Sequence, residues 1–155
     1  MSRSGYNDDY GSEDPWGLIR WRGQVASVIR GKRGQAFLLE MLHALDSLPE
    51  KKLIEGNLEQ HGQVCAIGAV GLKRGIDMSA LDPSDYEGVA SAFGIAHQLA
   101  QEVVYVNDEQ FLYSTDDAGY LRSHNGKLIE MAPEERFEKV RAWIVSLILP
   151  VPIED

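Results

Sequence analysis

The clearest alternation of apolar and polar positions in the chain runs from residue 35 to residue 48. Apolar side chains recur there every three or four residues, which is the spacing of one buried face of an α-helix. The opposite positions carry Glu40, His43 and Asp46. Pro49 follows directly, and proline cannot continue a helix. The pattern predicts a helix with a buried face made of Phe37, Leu38, Met41, Leu42, Leu45 and Leu48.

A second amphipathic segment precedes it. Asp14 and Pro15 suit the cap and first position of a helix, because aspartate accepts hydrogen bonds from free amides and proline lacks an amide. The apolar stripe that follows consists of Leu18, Trp21, Val25, Val28 and Ile29, and the opposite face consists of Arg20, Gln24, Ser27 and Arg30. We predict a helix over residues 14–30 and a break at residues 31–34. Residues 1–13 have no periodic apolar positions and predict a flexible acidic tail.

The middle of the chain predicts three shorter helices. Residues 64–73 are apolar and rich in small side chains, which favours a buried helix crossing closely against another helix. The spacing Ser84-x-x-Glu87 matches a capping box and predicts the start of the next helix. Gly94 ends that helix, and residues 96–105 form another.

Short alternating runs replace the helical pattern between residues 111 and 131. Asn125-Gly126 is a strong tight-turn dipeptide, so we expect a small hairpin or three-stranded meander there. Pro133 then opens a last helix with the apolar stripe Phe137, Val140, Ile144, Leu147 and Ile148. The elements predict a mainly α (α+β) fold. It is a single compact domain over residues 14–155, with about five or six helices and a small β-hairpin before the C-terminal helix.

Composition narrows the class of protein. The chain has 155 residues, 44% hydrophobic and 25% charged, as is typical of one globular domain. No apolar run approaches the roughly 18 residues of a membrane span, and the polar N-terminus lacks the order of a secretory signal. The one cysteine, Cys65, favours a reducing compartment. We therefore expect a cytoplasmic protein with no membrane partner.

The formal charge of −9 argues against indiscriminate binding to nucleic acid or anionic lipid, but the charge is unevenly distributed. Residues 20–52 hold seven basic and three acidic side chains, a net charge of +4. Residues 53–109 hold two basic and nine acidic side chains, a net charge of −7. Two interpretations remain open. Either the basic segment neutralises the acidic middle inside the fold, or it forms a patch for phosphate or for an acidic protein partner.

The basic segment is the best candidate for a contact surface. Arg30, Lys32 and Arg33 flank two glycines, so their side chains are expected to project from a turn near Arg20. Trp16 and Gln35 would add stacking and hydrogen bonding. The predicted partner-binding residues are Arg20, Arg30, Lys32, Arg33 and Gln35.

Cys65 is a weak candidate for a catalytic nucleophile. Thiol catalysis needs a nearby base, and the chain has four histidines. However, Cys65 lies in an apolar stretch, where a free cysteine more often acts as a small buried hydrophobe. Metal-binding spacings of His and Cys are absent, and residues 31–34 lack the glycine pattern of a phosphate loop. We predict no metal and no cofactor, and lean against an enzyme.

Asn107, Asp108 and Glu109 are secondary candidates, because their oxygen atoms suit a ligand or partner. Adjacent residues at a helix end diverge in direction, so we favour a capped and solvated helix terminus.

Ala90, Gly94 and Ile95 match the rhythm of a helix-turn-helix corner. Its second helix would present His97, Gln98, Gln101 and Glu102 outward. That helix carries no arginine or lysine for phosphates or bases, so we favour a generic helical corner.

Four strings of the sequence are distinctive together: Ile19-Arg20-Trp21-Arg22-Gly23, Arg30-Gly31-Lys32-Arg33-Gly34-Gln35-Ala36-Phe37, Cys65-Ala66-Ile67-Gly68-Ala69-Val70, and Phe93-Gly94-Ile95 followed by Ala100 and Asn107-Asp108-Glu109. They resemble those of a family of small proteins from bacteriophages and prophages of proteobacteria. The likeness covers roughly residues 6–109 and the last helix. The family has no assigned biochemical function, so the resemblance implies a phage context. Its members commonly pass quickly from Asn-Asp-Glu into the final helix, which makes residues 111–131 a departure.

The leading expectation is a non-enzymatic phage accessory protein that binds a host macromolecule in the cytoplasm of the bacterial host. An anti-defence, anti-CRISPR-like inhibitor is one subset, by analogy of context. The expected partner is a host or phage protein complex, and homo-oligomerisation stays open. The alternative is a nucleic-acid-binding protein that uses residues 20–35. The second alternative is a Cys65-dependent enzyme.

Overall fold

The computed structural model describes residues 15–110 and 113–150, and this part of the chain forms a mainly α-helical domain. Its six α-helices are α1 (Pro15–Arg30), α2 (Lys32–Asp46), α3 (Ala66–Arg74), α4 (Tyr86–Phe93), α5 (His97–Tyr105) and α6 (Pro133–Leu147). A 3₁₀ turn spans Met78–Ala80, and a π-helical turn, Val106–Gln110, continues α5. The predicted fold class is confirmed. The tail at residues 1–13, the cap at Asp14 and residues 151–155 lie outside the described residues.

Two short antiparallel hairpins complete the described structure. The first pairs β1 (Glu59–Gln60) with β2 (Gln63–Val64), in the register Glu59 to Val64 and Gln60 to Gln63. The second pairs β3 (Ser123–His124) with β4 (Lys127–Leu128), in the register Ser123 to Leu128 and His124 to Lys127.

The predicted hairpin is present, and residues 113–115 are joined to it by isolated bridges instead of a third strand of a meander. Asn125 and Gly126 form the turn of the hairpin with φ angles of 52° and 78°, the left-handed values that this dipeptide favours. Ser114 lies on a third chain segment, where its amide donates to the Ile129 carbonyl and its carbonyl accepts from the Arg122 amide, at 2.8 and 2.9 Å. Residues 111 and 112, at the start of the predicted segment, lie outside the described ranges.

Two helices organise the core. Helix α2 packs against α1, α3 and α6, and α5 packs against α1, α3 and α4. The periodicity of α2 explains its packing, because its apolar positions fall on one face and that face is removed from water. Helix α5 is buried at six consecutive positions, from Leu99 to Val104, because other segments cover it on several sides. The side chains buried at their centre, with relative exposure of 0%, are Leu38, Met41, Leu45, Leu53, Ile67, Val70, Leu99, Val103, Val140 and Ile144.

Glycine allows the closest approaches in the fold. A Cβ on Gly68 would lie 1.9 Å from the carbonyl oxygen of Leu58. The close packing predicted for residues 64–73 therefore exists: α3 packs against α2 and α5, and its approach at Gly68 is made to a loop carbonyl.

No helix in residues 15–110 and 113–150 has the length and apolar character required to cross a bilayer.

Three local predictions are wrong. The break predicted at residues 31–34 is confined to Gly31, which caps α2, because α2 already begins at Lys32. Helix α4 begins at Tyr86 with Asp85 as its cap, whose Oδ1 accepts from the Gly88 amide at 3.0 Å. Ser84 instead donates to Asp82, at 2.7 Å from its hydroxyl, so an Asx turn before the helix replaces the capping box.

The outward face predicted for α5 is also wrong at two of its four positions. Gln101 and Glu102 are 2% and 4% exposed. They are buried because α1 packs on α5, and Arg22 of α1 reaches Glu102.

Candidate functional site

Part of the basic segment is neutralised inside the fold. Arg22 contacts the carboxylate of Glu102 at 2.9 Å from Nη1 and 2.6 Å from Nη2. Lys52 lies 3.6 Å from Glu134 of α6. A buried carboxylate such as Glu102 is costly without a cation beside it. The interpretation of internal neutralisation therefore holds for Arg22.

The cations at the turn between α1 and α2 are arranged differently. Arg30, Lys32 and Arg33 are exposed, and none of them forms an ion pair with another described residue. A Cβ on Gly34 would lie 2.0 Å from the carbonyl oxygen of Val28, so α2 begins in direct contact with the last turn of α1. This tight turn holds three positive charges at the surface.

A groove runs from this turn along α1. One part is a cavity of about 240 Å³ lined by the turn and by the residues that open α5. The other is an open depression of about 470 Å³ lined by α1 and Gln98. Val28 lines both, so the two depressions are neighbours on the surface beside α1. We call them together the basic groove, lined by Arg20, Gly23, Gln24, Ser27, Val28, Gly31, Lys32, Arg33, Gly34, Ile95, Ala96, Gln98 and Leu99.

The charge of the groove contrasts with that of the whole chain. Among the described residues, its lining contains Arg20, Lys32 and Arg33 and no carboxylate, although the chain carries a formal charge of −9. The caps of α2 and α5, Gly31 and Ala96, make no side-chain cap hydrogen bond. The first amides of both helices therefore bring the positive ends of two helix dipoles to the groove, and the last carbonyls of α1 bring the negative end of a third to the same turn.

The other end of α1 is apolar at its surface. Trp16 is 69% exposed and Ile19 is 60% exposed. Trp16 lies four residues before Arg20, so the two side chains share one face of the helix. The sequence interpretation included Trp16 and missed Ile19. The available signal was that Ile19 falls outside the buried stripe of α1.

Gln35 does not belong to the exposed surface in the way we predicted. Its side-chain amide donates to the carbonyls of Ile29 and Leu147, at 2.7 and 3.0 Å. Its Oε1 accepts from the Leu149 amide at 2.8 Å. Gln35 thus fastens the end of α1 to the end of α6, and its polar atoms are engaged inside the fold.

Asn107 and Asp108 do not form a solvated helix end, so that interpretation is wrong. They are 1% and 9% exposed. The π-helical turn directs the Asn107 side chain inward, where Oδ1 accepts from the Ala66 amide at 3.1 Å. Its Nδ2 donates to the Ile54 carbonyl and to Asp108 Oδ1, both at 2.8 Å. Buried in this way, Asn107 and Asp108 serve the fold, and Glu109 is the half-buried member of the three.

Arg136 completes this polar centre from α6. Its guanidinium is 4% exposed and donates from Nη1 to the backbone carbonyl of Asn107. Its Nη2 lies 3.4 Å from Glu55. One asparagine therefore joins α3, the loop before β1 and α6 at a single point.

Cys65 is a structural residue in this fold. It is 1% exposed, and its Sγ caps α3 by accepting from the Gly68 amide at 3.3 Å. The prediction of a small buried hydrophobe is confirmed. A thiol buried at a helix start has no open path to a substrate.

Comparison with known proteins leaves the groove as the main guide to function. No protein-family model, no curated protein and no solved structure matches this chain. Within residues 15–110 and 113–150, no three His, Cys, Asp or Glu side chains are grouped so as to hold a metal ion.

Proposed function

We propose that this chain is a non-enzymatic accessory protein of a phage or prophage that binds a host macromolecule through the basic groove. The observation that carries the proposal is the set of exposed cations, Arg30, Lys32 and Arg33, beside a groove that no carboxylate of the described ranges lines. An anti-defence inhibitor that blocks a host protein complex in the bacterial cytoplasm is one form of this function, by analogy of context.

Electrostatic complementarity supports a partner with an acidic surface. Cations held at a tight turn, with no internal ion pair among the described residues, remain available to steer and orient a negatively charged partner. Exposed Trp16 and Ile19 add the apolar contact area that protein interfaces concentrate at their centres.

The test is affinity purification of the tagged full-length protein from host cells, with mass spectrometry. The triple variant Arg30→Gln, Lys32→Gln, Arg33→Gln is expected to lose the specific partner and keep the thermal stability of the parent. The triple variant Lys73→Gln, Arg122→Gln, Lys127→Gln is the control. It changes the net charge equally at exposed positions outside the groove. A partner that both variants retain would contradict the proposal.

Nucleic-acid binding is the second candidate. The uncapped start of α2 beside Lys32 favours it, because helix N-termini and lysine together suit phosphate groups. Its signature is retardation of a labelled oligonucleotide, with an affinity that falls steeply as salt rises.

A further inference from the structure

We infer that the basic groove holds an extended acidic peptide segment of the partner, about seven residues long. Its carboxylates lie near Arg30, Lys32 and Arg33, and an apolar side chain at its other end contacts Trp16 and Ile19. This inference rests on the proposed function and specifies the chemistry of the partner.

The length follows from the geometry of α1. The helix has 16 residues, which correspond to about 24 Å at 1.5 Å per residue. An extended chain covers that distance in about seven residues at roughly 3.3 Å each. The segment therefore reaches from the apolar end of α1 to the cations at the turn.

The distribution of charge favours a short acidic segment over a nucleic acid. Duplex DNA carries one negative charge per about 1.7 Å and continues beyond any short site. It would extend from the groove over a protein whose total charge is −9 even with the groove cations included. A peptide that carries three carboxylates at one end matches the three cations at the turn. It is short enough to avoid electrostatic repulsion from the acidic remainder of the protein.

The walls between the two ends suit a peptide backbone. Gln24, Ser27 and Gln98 line the groove with uncharged polar groups, and Gln98 Nε2 donates to Gln24 Oε1 in a long bond of 3.3 Å. No described atom lies within 4 Å of the position that a Cβ of Gly23 would occupy, so the surface above Gly23 is accessible. Amide and hydroxyl groups along this accessible surface are able to bond the free N–H and C=O groups of an extended segment.

The experiment is isothermal titration of the purified full-length protein with blocked heptapeptides. One set carries a leucine at one end and three glutamates at the other, in both chain directions, and a matched set carries glutamine for glutamate. We expect one glutamate peptide to bind and its glutamine counterpart to bind at least about tenfold more weakly. The Arg30, Lys32, Arg33 triple variant is expected to weaken binding at least about tenfold, and the Lys73, Arg122, Lys127 control less than about twofold.

The apolar end is tested separately, with Ile19→Ala in the groove face and Leu39→Ala as an exposed aliphatic control on α2. Only Ile19→Ala is expected to lower the affinity for the glutamate peptide, by about fivefold or more. If no glutamate peptide binds while the host partner is still lost from the groove variant, this inference fails and the proposed function stands. Tighter, groove-dependent binding of a DNA or RNA oligonucleotide overturns the inference in favour of nucleic acid.

Discussion

The polar centre at Asn107 predicts a large effect from one substitution, Asn107→Leu. The change keeps the number and branching of the side-chain heavy atoms and removes a carboxamide that is 1% exposed. It leaves the Ala66 amide and the Ile54 carbonyl without the partners they have at 3.1 and 2.8 Å. Each buried polar group without a partner costs about 1–3 kcal/mol, so the two together cost about 2–6 kcal/mol. The unfolding free energy of such a domain is about 5–15 kcal/mol in total.

Urea denaturation, followed by circular dichroism and tryptophan fluorescence, measures this loss. The matched control is Asn57→Leu, because Asn57 Nδ2 makes only an exposed 3.3 Å bond to Gln60 Oε1. We expect the control to change the unfolding free energy by less than about 0.5 kcal/mol. A loss below about 1 kcal/mol for Asn107→Leu, with an unchanged m-value, would show that the bonds of Asn107 do not hold the three segments together.

A second substitution separates hydrogen bonding from shape at the same position. Asn107→Asp keeps an oxygen for the Ala66 amide, loses both donors, and places a second carboxylate beside Asp108. We expect a loss as large as that of Asn107→Leu at neutral pH. Stability should be partly restored toward about pH 4, where a protonated carboxyl regains one donor. A loss independent of pH would refute this account.

Three further predictions concern other positions. Gly34→Ala is expected to lower the unfolding free energy by about 1–3 kcal/mol, because its Cβ would lie 2.0 Å from a backbone carbonyl oxygen. Gly23→Ala has open space around its Cβ and should raise the unfolding free energy by about 0.5–1 kcal/mol. Similar melting temperatures for the two variants would contradict the packing argument. The hydrogen bond from Arg74 lowers the pKa of the Glu40 carboxyl in the folded protein. The ion pair therefore stabilises the fold fully above the unfolded carboxyl pKa of about 4.3. That stabilisation is lost as the pH falls through the lowered pKa of the folded state. Glu40→Gln should therefore cost about 0.5–1 kcal/mol at pH 7 and progressively less in acid, and a cost that grows in acid would reverse the sign of this argument. Native Cys65 should resist iodoacetamide that alkylates it in the unfolded chain, and rapid native alkylation would reopen the enzyme alternative.

Helix positions and their buried faces were largely accessible from the sequence. The stripes of α2 and α6 are set by local periodicity, and the turn at Asn125-Gly126 is set by the backbone preferences of two residues. The start of α4 was missed because Ser84 and Asp85 are both good helix caps. In the structure Ser84 bonds to Asp82 in the Asx turn, and Asp85 caps the helix. Which of two neighbouring residues caps a helix depends on the local backbone conformation, and residue spacing alone does not specify that conformation.

The sequence by itself determined the mainly helical fold, the location of the basic turn and the uneven charge along the chain. Only the tertiary structure decided which basic residues are neutralised, because Arg22 and Glu102 are 80 residues apart and meet through the packing of α1 on α5. Arg30, Lys32 and Arg33 meet no such partner among the described residues. Apolar patterning is a local property of the chain, whereas the pairing of charges and the burial of Asn107 depend on contacts between distant segments.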